Sequence, residues 1–475
     1  MSSVLVIGAG PAGLAAAVAA RDAGARVTLL DSGDGLGGQY WRHLPPQRPS
    51  RREARLHHGW SAFERLQGRV RGDDGIEVLT EAQVWAIETA AAARSAGGPA
   101  IAARVLIGPS DAAGRESRRL TADAVVLAPG AHDRTLPFPG WHLPGVFSAG
   151  AAQALAKGER IAVGRKAVVA GAGPFLLPVA QSLTSAGTDV IGVYEASRLP
   201  TLARGWLPHP QRLLRTAHKG LELAGYAAHH LARRVPYRLG RAVVEARGDG
   251  RVEEVVTARL DADWAPIPGT ERTVAVDAVC VSHGFTPRLE LPIAAGCAIG
   301  PDRFVLVDAD QRTSVGGVYA AGEITGIGGV DAALVEGRIA GRRAAGGEAP
   351  RADLRLRRAT TDLARRIETA HGIRSGWTSW LRGDTVVCRC EEVPYGRLRA
   401  AAAATEQTAL RSLKLTTRAG LGICQARMCG RTVEELTGAD PSRSATDTSD
   451  RRPLAAPIRL GDLAELATPP NGDSA

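Results

Sequence analysis

Four cysteines stand close together late in the chain, as Cys388-Arg-Cys390 and Cys424-Gln-Ala-Arg-Met-Cys429. The pattern is C-x-C, 33 intervening residues, then C-x4-C. Four thiolates so placed can hold a zinc ion or a [2Fe–2S] cluster. Structural zinc sites mostly use pairs separated by a few residues, which suits the second pair and not the first. The gaps do not match the common ferredoxin spacings either. Spacing alone leaves both metals open. Glycines at 420, 422 and 430 free backbone N–H groups to approach sulfur. Arg389, Arg418, Arg427 and Arg431 would add positive charge around an anionic cluster. The remaining Cys280 and Cys297 form no C-x-x-C pair and read as small core residues.

The opposite end carries Gly8-Ala-Gly10-Pro11-Ala12-Gly13, between an apolar run at 4–7 and an Ala-rich helical segment at 14–21. A second apolar run at 27–30 ends in Asp31, 23 residues after Gly8. Each part has a physical task. Gly8 permits the tight turn, Gly10 lets the backbone approach a pyrophosphate, and Gly13 lets helix and strand touch. The helix N-terminus then offers unpaired N–H groups to the phosphates, and Asp31 suits a ribose. A further glycine turn, 35–39, ends in Gly38-Gln39 and either lets the backbone pass close to a bound cofactor or is an ordinary surface turn.

The glycine spacing recurs at Gly171-Ala-Gly173-Pro-Phe-Leu176, after a strand at 167–170 and before a helix to about 186. A strand at 190–194 ends in Glu195, which would favour NAD over NADP. Leu176 stands where the third glycine belongs and should crowd the helix–strand contact. Two readings follow: a working dinucleotide site at Gly171, Gly173 and Glu195, or a Rossmann-shaped domain that is structural or takes another adenine nucleotide.

Elsewhere the sequence predicts a hairpin over 88–118, a strand at 124–127 leading to Ala128-Pro-Gly130-Ala131, and a solvated loop at His132-Asp133-Arg134. Neighbours in an extended segment face opposite ways, so that His–Asp pair suggests no catalysis. Strands follow at 274–281 and from 318, the second ending in Gly322-Glu323. The next helix, to about 343, has an N-terminal dipole that could face a flavin ring.

At 475 residues the chain is long enough for about three domains. Its net charge is +10, but the cations are almost all Arg, with Lys at 157, 166, 219 and 414. They are scattered, and aromatics make up 4%, so nucleic acid is not an expected partner. No apolar run is long enough to span a membrane, and no leader is evident. A cytoplasmic location is expected, where clustered thiols are ligands or redox groups rather than structural disulfides.

Taken together, these marks resemble a known pair of modules. Residues 1–345 resemble the two-dinucleotide-binding-domain flavoproteins, through GAGPAG, Asp31, the GGQ turn, APGA, the second GAGP and AAGE with its GIGG. The resemblance implies an α/β fold with two Rossmann-like dinucleotide-binding domains, the FAD domain being discontinuous. It places Asp31 on the adenosine ribose and Gly322 and Glu323 by the pyrophosphate and ribitol, where Asp is commoner. Pro11, Ala12, Val84, Ala128 and Gly130 join the implied FAD residues. Residues 384–438 resemble the [2Fe–2S] domain of bacterioferritin-associated ferredoxin, through the run from Thr417 to Cys429, which makes Cys388, Cys390, Cys424 and Cys429 the implied ligands.

The implied domains are FAD-binding at 1–150 and 275–345, a second Rossmann domain at 160–274, a connector at 346–383, the [2Fe–2S] domain at 384–440 and an extended tail at 441–475. The combination resembles the alpha-type subunit of proline, hydroxyproline and opine dehydrogenases or oxidases, with the hydrogen cyanide synthase beta subunit as a relative. It implies FAD, a [2Fe–2S] cluster and electron relay beside a flavoprotein dehydrogenase subunit and a small ferredoxin-like subunit. NAD or another adenine nucleotide would suit the second Rossmann domain. The competing reading is a self-sufficient NAD(P)H-dependent FAD/iron–sulfur reductase. A third is a binding module whose cysteine domain only docks.

Overall fold

The computed structural model describes residues 1–45, 47, 48, 53–89, 101–112, 114–405, 410–438, 448–452 and 454–467. A parallel five-stranded sheet comes first, in the order Val318–Ala320, Ala124–Leu127, Ser3–Ile7, Arg26–Leu30, Ile76–Leu79. These strands are short, apolar and covered on both faces, as a parallel sheet demands. Helix α1, Pro11–Asp22, packs on one face through eight buried small or apolar residues, Leu14 and the alanines among them. An antiparallel sheet, Ala82–Thr89, Ile101–Ile107 and Glu116–Ala122, packs on the other face through Val84, Ile87, Ile101 and Val105.

A second parallel sheet runs Tyr237–Leu239, Asp189–Glu195, Lys166–Gly171, Ala278–Ser282, Val146–Ser148. Helix α2, Leu176–Ser185, and helix α3, Ala217–Ala232, belong to it. Both crossings from the first sheet therefore lie inside the second. Val146–Ser148 and Ala278–Ser282, expected on the FAD side of the boundaries at 150 and 275, pair in register with each other within the second sheet. The single strand expected over 274–281 is two. Arg272–Ala275 belongs to an antiparallel sheet, and Ala278–Ser282 to the parallel one. Asp277 makes the break: its carboxylate accepts the N–H groups of Arg165 and Lys166 at 3.1 and 2.8 Å, which turns the chain between sheets.

Helix α4, Gly329–Ala344, lies along α1, and the expected connector is dominated by α5, Arg351–His371. That helix is a brace. It packs on α4 at one end and on the segment Leu199–Trp206 of the second domain at the other. The cysteine-bearing domain has a small core of its own, including Val387, Val393, Leu398, Leu413 and Val433.

The tail is not simply extended. Ser449 and Asp450 are buried, the Ala455 N–H donates to the Trp85 carbonyl at 2.8 Å, and a helix forms at Leu460–Ala467. Asp462 meets the buried Arg115 at 3.5 Å, so a composition that reads as a loose tail folds back on the antiparallel sheet through polar contacts. Residues 439–447, also counted in the expected tail and domain edge, lie outside the described residues.

Candidate functional site

The first glycine motif forms a tight cradle. A Cβ on Gly8 would lie 2.2 Å from the Ala128 carbonyl oxygen, and one on Gly13 would lie 1.6 Å from that of Gly8. Only glycine allows this approach of helix to strand. Gly10 is the N-cap of α1 and offers no side chain to the first-turn N–H groups, with Pro11 and Ala12 next. Those donors are left for an anion. Asp31 closes the far side, accepting from Ala9 N–H at 2.6 Å and Gly33 N–H at 2.7 Å. Burial raises its pKa, and those two bonds oppose the rise.

Gly38 rests on this turn: a side chain there would begin 2.9 Å from the Gly10 Cα. Gln39 beside it is exposed. Ala128 is buried, and Gly130 leads into the strand Ala131–Asp133. The Gly322 N–H donates to Glu336 at 2.9 Å, and Glu323 accepts the Gly329 N–H at 2.9 Å, at the start of α4. Burial pushes the Glu323 carboxyl up to about 7, and the neighbouring Glu336 adds to the rise. Val84 differs in kind, since its side chain is core, packed with Leu5, Ile7 and Leu30 at a bulge in its strand. Gly8, Gly10, Ala12, Gly13, Gly38, Ala128 and Gly322 lie against one another near the N-terminus of α1. That donor set fits the pyrophosphate and polyol of FAD.

The second glycine motif is built differently. Leu176 is fully buried among Val169, Val179, Val193 and Cys280. The helix start tightens around it. Leu176 and Leu177 bond back three residues, to Gly173 and Pro174, where Leu14 of the first motif bonds back four, to Gly10. Glu195 is wholly buried and already occupied. Its Oε2 accepts from Gly173 N–H at 2.9 Å and the Tyr237 hydroxyl at 3.2 Å, with His371 Nδ1 at 3.3 Å. Its Oε1 accepts from Ser197 N–H at 2.9 Å. Asp31, by contrast, keeps only its two backbone donors and remains partly exposed. Tyr237 and His371 carry no sequence signal: the brace α5 brings His371 to Glu195 across 176 residues of chain.

The four cysteines meet as a run of neighbouring thiols. Cys429 lies beside Cys388 and Cys424, and Cys424 beside Cys390. Among the described residues they are not drawn into a finished ligand cage. The donor set still fits a cluster: all four are sulfur, the Gly420 N–H points at Cys388 Sγ at 3.4 Å, and a side chain on Gly422 would begin 2.3 Å from the Cys390 Cβ. Cys429, then the Gly420 N–H, holds the Cys388 thiol down to about 6 against burial. Cys429 likewise holds Cys424 down to about 5. Cys388 and Cys429 face the interior, Cys424 is half-buried and Cys390 is exposed.

The expected solvated loop at 131–134 is in fact the dock for this domain. Ala131–Asp133 pairs with Phe285–Pro287, and Asp133 accepts the Gly150 N–H at 2.8 Å. The His132 ring meets the Arg427 carbonyl at 2.9 Å, and Arg134 pairs with Glu435 at 2.8 Å. Alternation along the strand sends these side chains to different partners, so sequence adjacency still gives no His–Asp catalytic pair. Cys280 and Cys297 are buried, as their apolar setting implies.

Comparison with known proteins assigns both modules. The model of the pyridine nucleotide-disulphide oxidoreductases matches residues 2–349. The chain belongs to that family. A BFD-like [2Fe-2S] binding domain matches residues 386–437. FAD and a [2Fe–2S] cluster are its cofactors, and the expected α/β architecture with a small C-terminal cluster domain holds. The chain is 31% identical over 499 residues to the opine oxidase A subunit of Rhizobium meliloti, covering 98% of this chain and 88% of that one. It is 33% identical over 463 residues to hydrogen cyanide synthase subunit HcnB of Pseudomonas aeruginosa, covering 90% of each. L-proline dehydrogenase from P. horikoshii shares the fold, with a TM-score of 0.63 at 20% identity over 97% of this chain and 79% of that chain. Among the described residues no helix is long and apolar enough to cross a membrane.

Proposed function

We propose that this oxidoreductase is the electron-relay subunit of a heteromeric amino-acid or imino-acid dehydrogenase of the proline, hydroxyproline or opine type. One observation carries the reading. The acid that would bind a nicotinamide nucleotide, Glu195, is consumed by hydrogen bonds from Gly173, Ser197 and Tyr237 of the same chain, with His371 Nδ1 3.3 Å away. Only the first cradle is left open to a dinucleotide. Relatives named as subunits, of opine oxidase and of hydrogen cyanide synthase, support a partner that oxidises the amine.

In this reading Gly8, Gly10, Pro11, Ala12, Gly13 and Asp31 hold the adenosine and pyrophosphate of FAD. Gly38, Gln39, Ala128, Gly130, Gly322 and Glu323 line the rest of the dinucleotide, and Val84 contributes backbone. Cys388, Cys390, Cys424 and Cys429 ligate the cluster. Bound FAD supplies two-electron exchange, and the cluster supplies one-electron exchange. The chain's own part is placement. Arg134–Glu435, Arg303–Glu434 at 2.8 Å and His132 fix the cluster domain against the flavoprotein body. The outer edge, Cys390 with Leu421 (46% exposed) and Ile423 (91% exposed), is left for the partner flavoprotein or a small ferredoxin-like subunit in the cytoplasm.

The test is an anaerobic visible spectrum of the purified chain before and after NADH. The relay reading expects no bleaching by NADH and full bleaching by dithionite. Rapid bleaching by NADH would replace it with the self-sufficient reductase.

A further inference from the structure

Beside the FAD cradle lies a cationic cluster, with a buried lysine at its centre, that the relay scheme does not use. The helix Ala149–Ala154, on the way into the second domain, continues as a π-helical turn, Leu155–Glu159. Lys157 sits on this turn and is 8% exposed. Among the described residues its ammonium has no hydrogen-bond or ion-pair partner, and the charge that acts on it is another cation, Arg160. The adjoining carboxylates face other groups. Glu53 pairs with Arg160 through one oxygen, while its other oxygen, 3.2 Å from His57 Nε2, has no hydrogen-bond partner among the described residues, and Glu159 pairs with Arg48 at 3.8 Å. His57 does not help: burial, then Lys157 and Arg160, push its pKa down to about 3, so it stays neutral. Arg42 adds further positive charge, its stem 3.2 Å from where a Gly158 side chain would begin.

A largely buried ammonium is unfavourable unless something of opposite charge completes it. This chain meets almost every other need for a cation with Arg, and Arg forms its buried pairs. The place is informative too. Gly38 stacks on Gly10, and the chain runs from there through Tyr40 and Arg42 into this cluster. The His57 ring lies by the Tyr40 backbone.

We infer that Lys157 is the counter-charge for an anion not supplied by the described residues, seated against the segment from Gly38 to Arg42. That anion is either the ring of reduced flavin or an exchangeable oxyanion such as phosphate. The first source rests on the FAD reading above. Two electrons from the partner subunit and one proton leave the reduced ring with one negative charge, which the ammonium offsets with no bond made to lysine.

The experiment uses the FAD-loaded chain, with flavin content measured first by absorbance after heat release. Midpoint potentials are read by dye equilibration for wild type, Lys157→Met and Lys157→Arg, and inorganic phosphate is titrated by calorimetry into each. If the anion is the flavin, Lys157→Met weakens the reduced state about tenfold, which is about 30 mV for a two-electron couple. Lys157→Arg then restores it, and phosphate gives no heat. If the anion is exchangeable, wild type binds phosphate saturably, Lys157→Met does not, and the potential is unmoved. An unmoved potential with no phosphate binding in wild type overturns the inference. Absence of flavin would sink the FAD reading separately, and the phosphate titration of wild type would then decide Lys157 alone. That titration, with the potential of Lys157→Arg, also decides it should Lys157→Met not fold.

Discussion

The ring of His132 stands 2.9 Å from the backbone carbonyl of Arg427, which lies in the loop between Cys424 and Cys429. The contact ties the strand that leaves the FAD cradle at Gly130 directly to the loop that carries two of the cluster thiols. Arg427 is fixed a second time, its Nε 2.8 Å from Glu290 of the FAD-side body, and the tail adds a bond from Arg427 to the Ala455 carbonyl at 3.0 Å. A relay needs two redox centres at a constant separation, and these bonds hold one end of that separation.

His132→Ala should therefore loosen the dock while leaving each domain folded. Losing the imidazole leaves the Arg427 carbonyl short of a partner, a cost of about 1–3 kcal/mol. Flavin and cluster content should match wild type, and the flavin-to-cluster electron transfer rate after photoreduction should fall. An unchanged rate would mean that the docking salt bridges alone set the separation.

Cys424→Ser should abolish the cluster absorption and leave FAD bound. The cluster domain packs on its own core around Leu398, Leu413 and Val433, separate from the core under the FAD cradle around Val6, Leu14 and Val27. Loss of flavin in the same variant would show that the two cores fold as one unit.

Much of this site can be read from local pattern. The strands and helix around Gly8–Asp31 and the four cysteines lie where apolar runs, glycine spacing and ligand chemistry put them, because each depends on residues within one βαβ unit or one loop. What escapes is long-range. Nothing near Glu195 announces that Tyr237 and His371 will occupy it, since their approach depends on how α5 spans two domains. The strand Ala278–Ser282 reads as FAD-side by sequence order, yet it is hydrogen-bonded into the other sheet. His132 reads as a loop residue because its partner lies 295 residues away. The polar composition of the tail hides a set of ion pairs whose partners belong to other domains.

Glu323 makes the stability of the FAD-free protein depend on pH. Burial raises its carboxyl from the ordinary 4.5 to about 7 in the folded chain. The folded state thus holds a proton that the unfolded chain releases at lower pH. The contribution is complete below about pH 4.5 and is lost as pH rises through about 7. Thermal unfolding of the FAD-free protein between pH 5 and 8 should show a decline that Glu323→Gln removes. An identical decline in the variant would assign it to another group.

The tail should act as a clamp through Asp450. Its carboxylate pairs with Arg303, which Glu434 of the cluster domain also engages at 2.8 Å, while Arg431 approaches Asp450 at 3.5 Å. Arg303 and Asp450 are both largely buried, so Asp450→Ala removes a charged hydrogen bond where water cannot replace it. The expected loss is about 1.5–3 kcal/mol. Amide exchange should quicken first at 448–467, where Ala455 leans on Trp85 and Asp462 on Arg115, and only later at the cysteine loop, which His132 still holds. Simultaneous release of both segments would make the tail, rather than His132, the element that fixes the cluster domain.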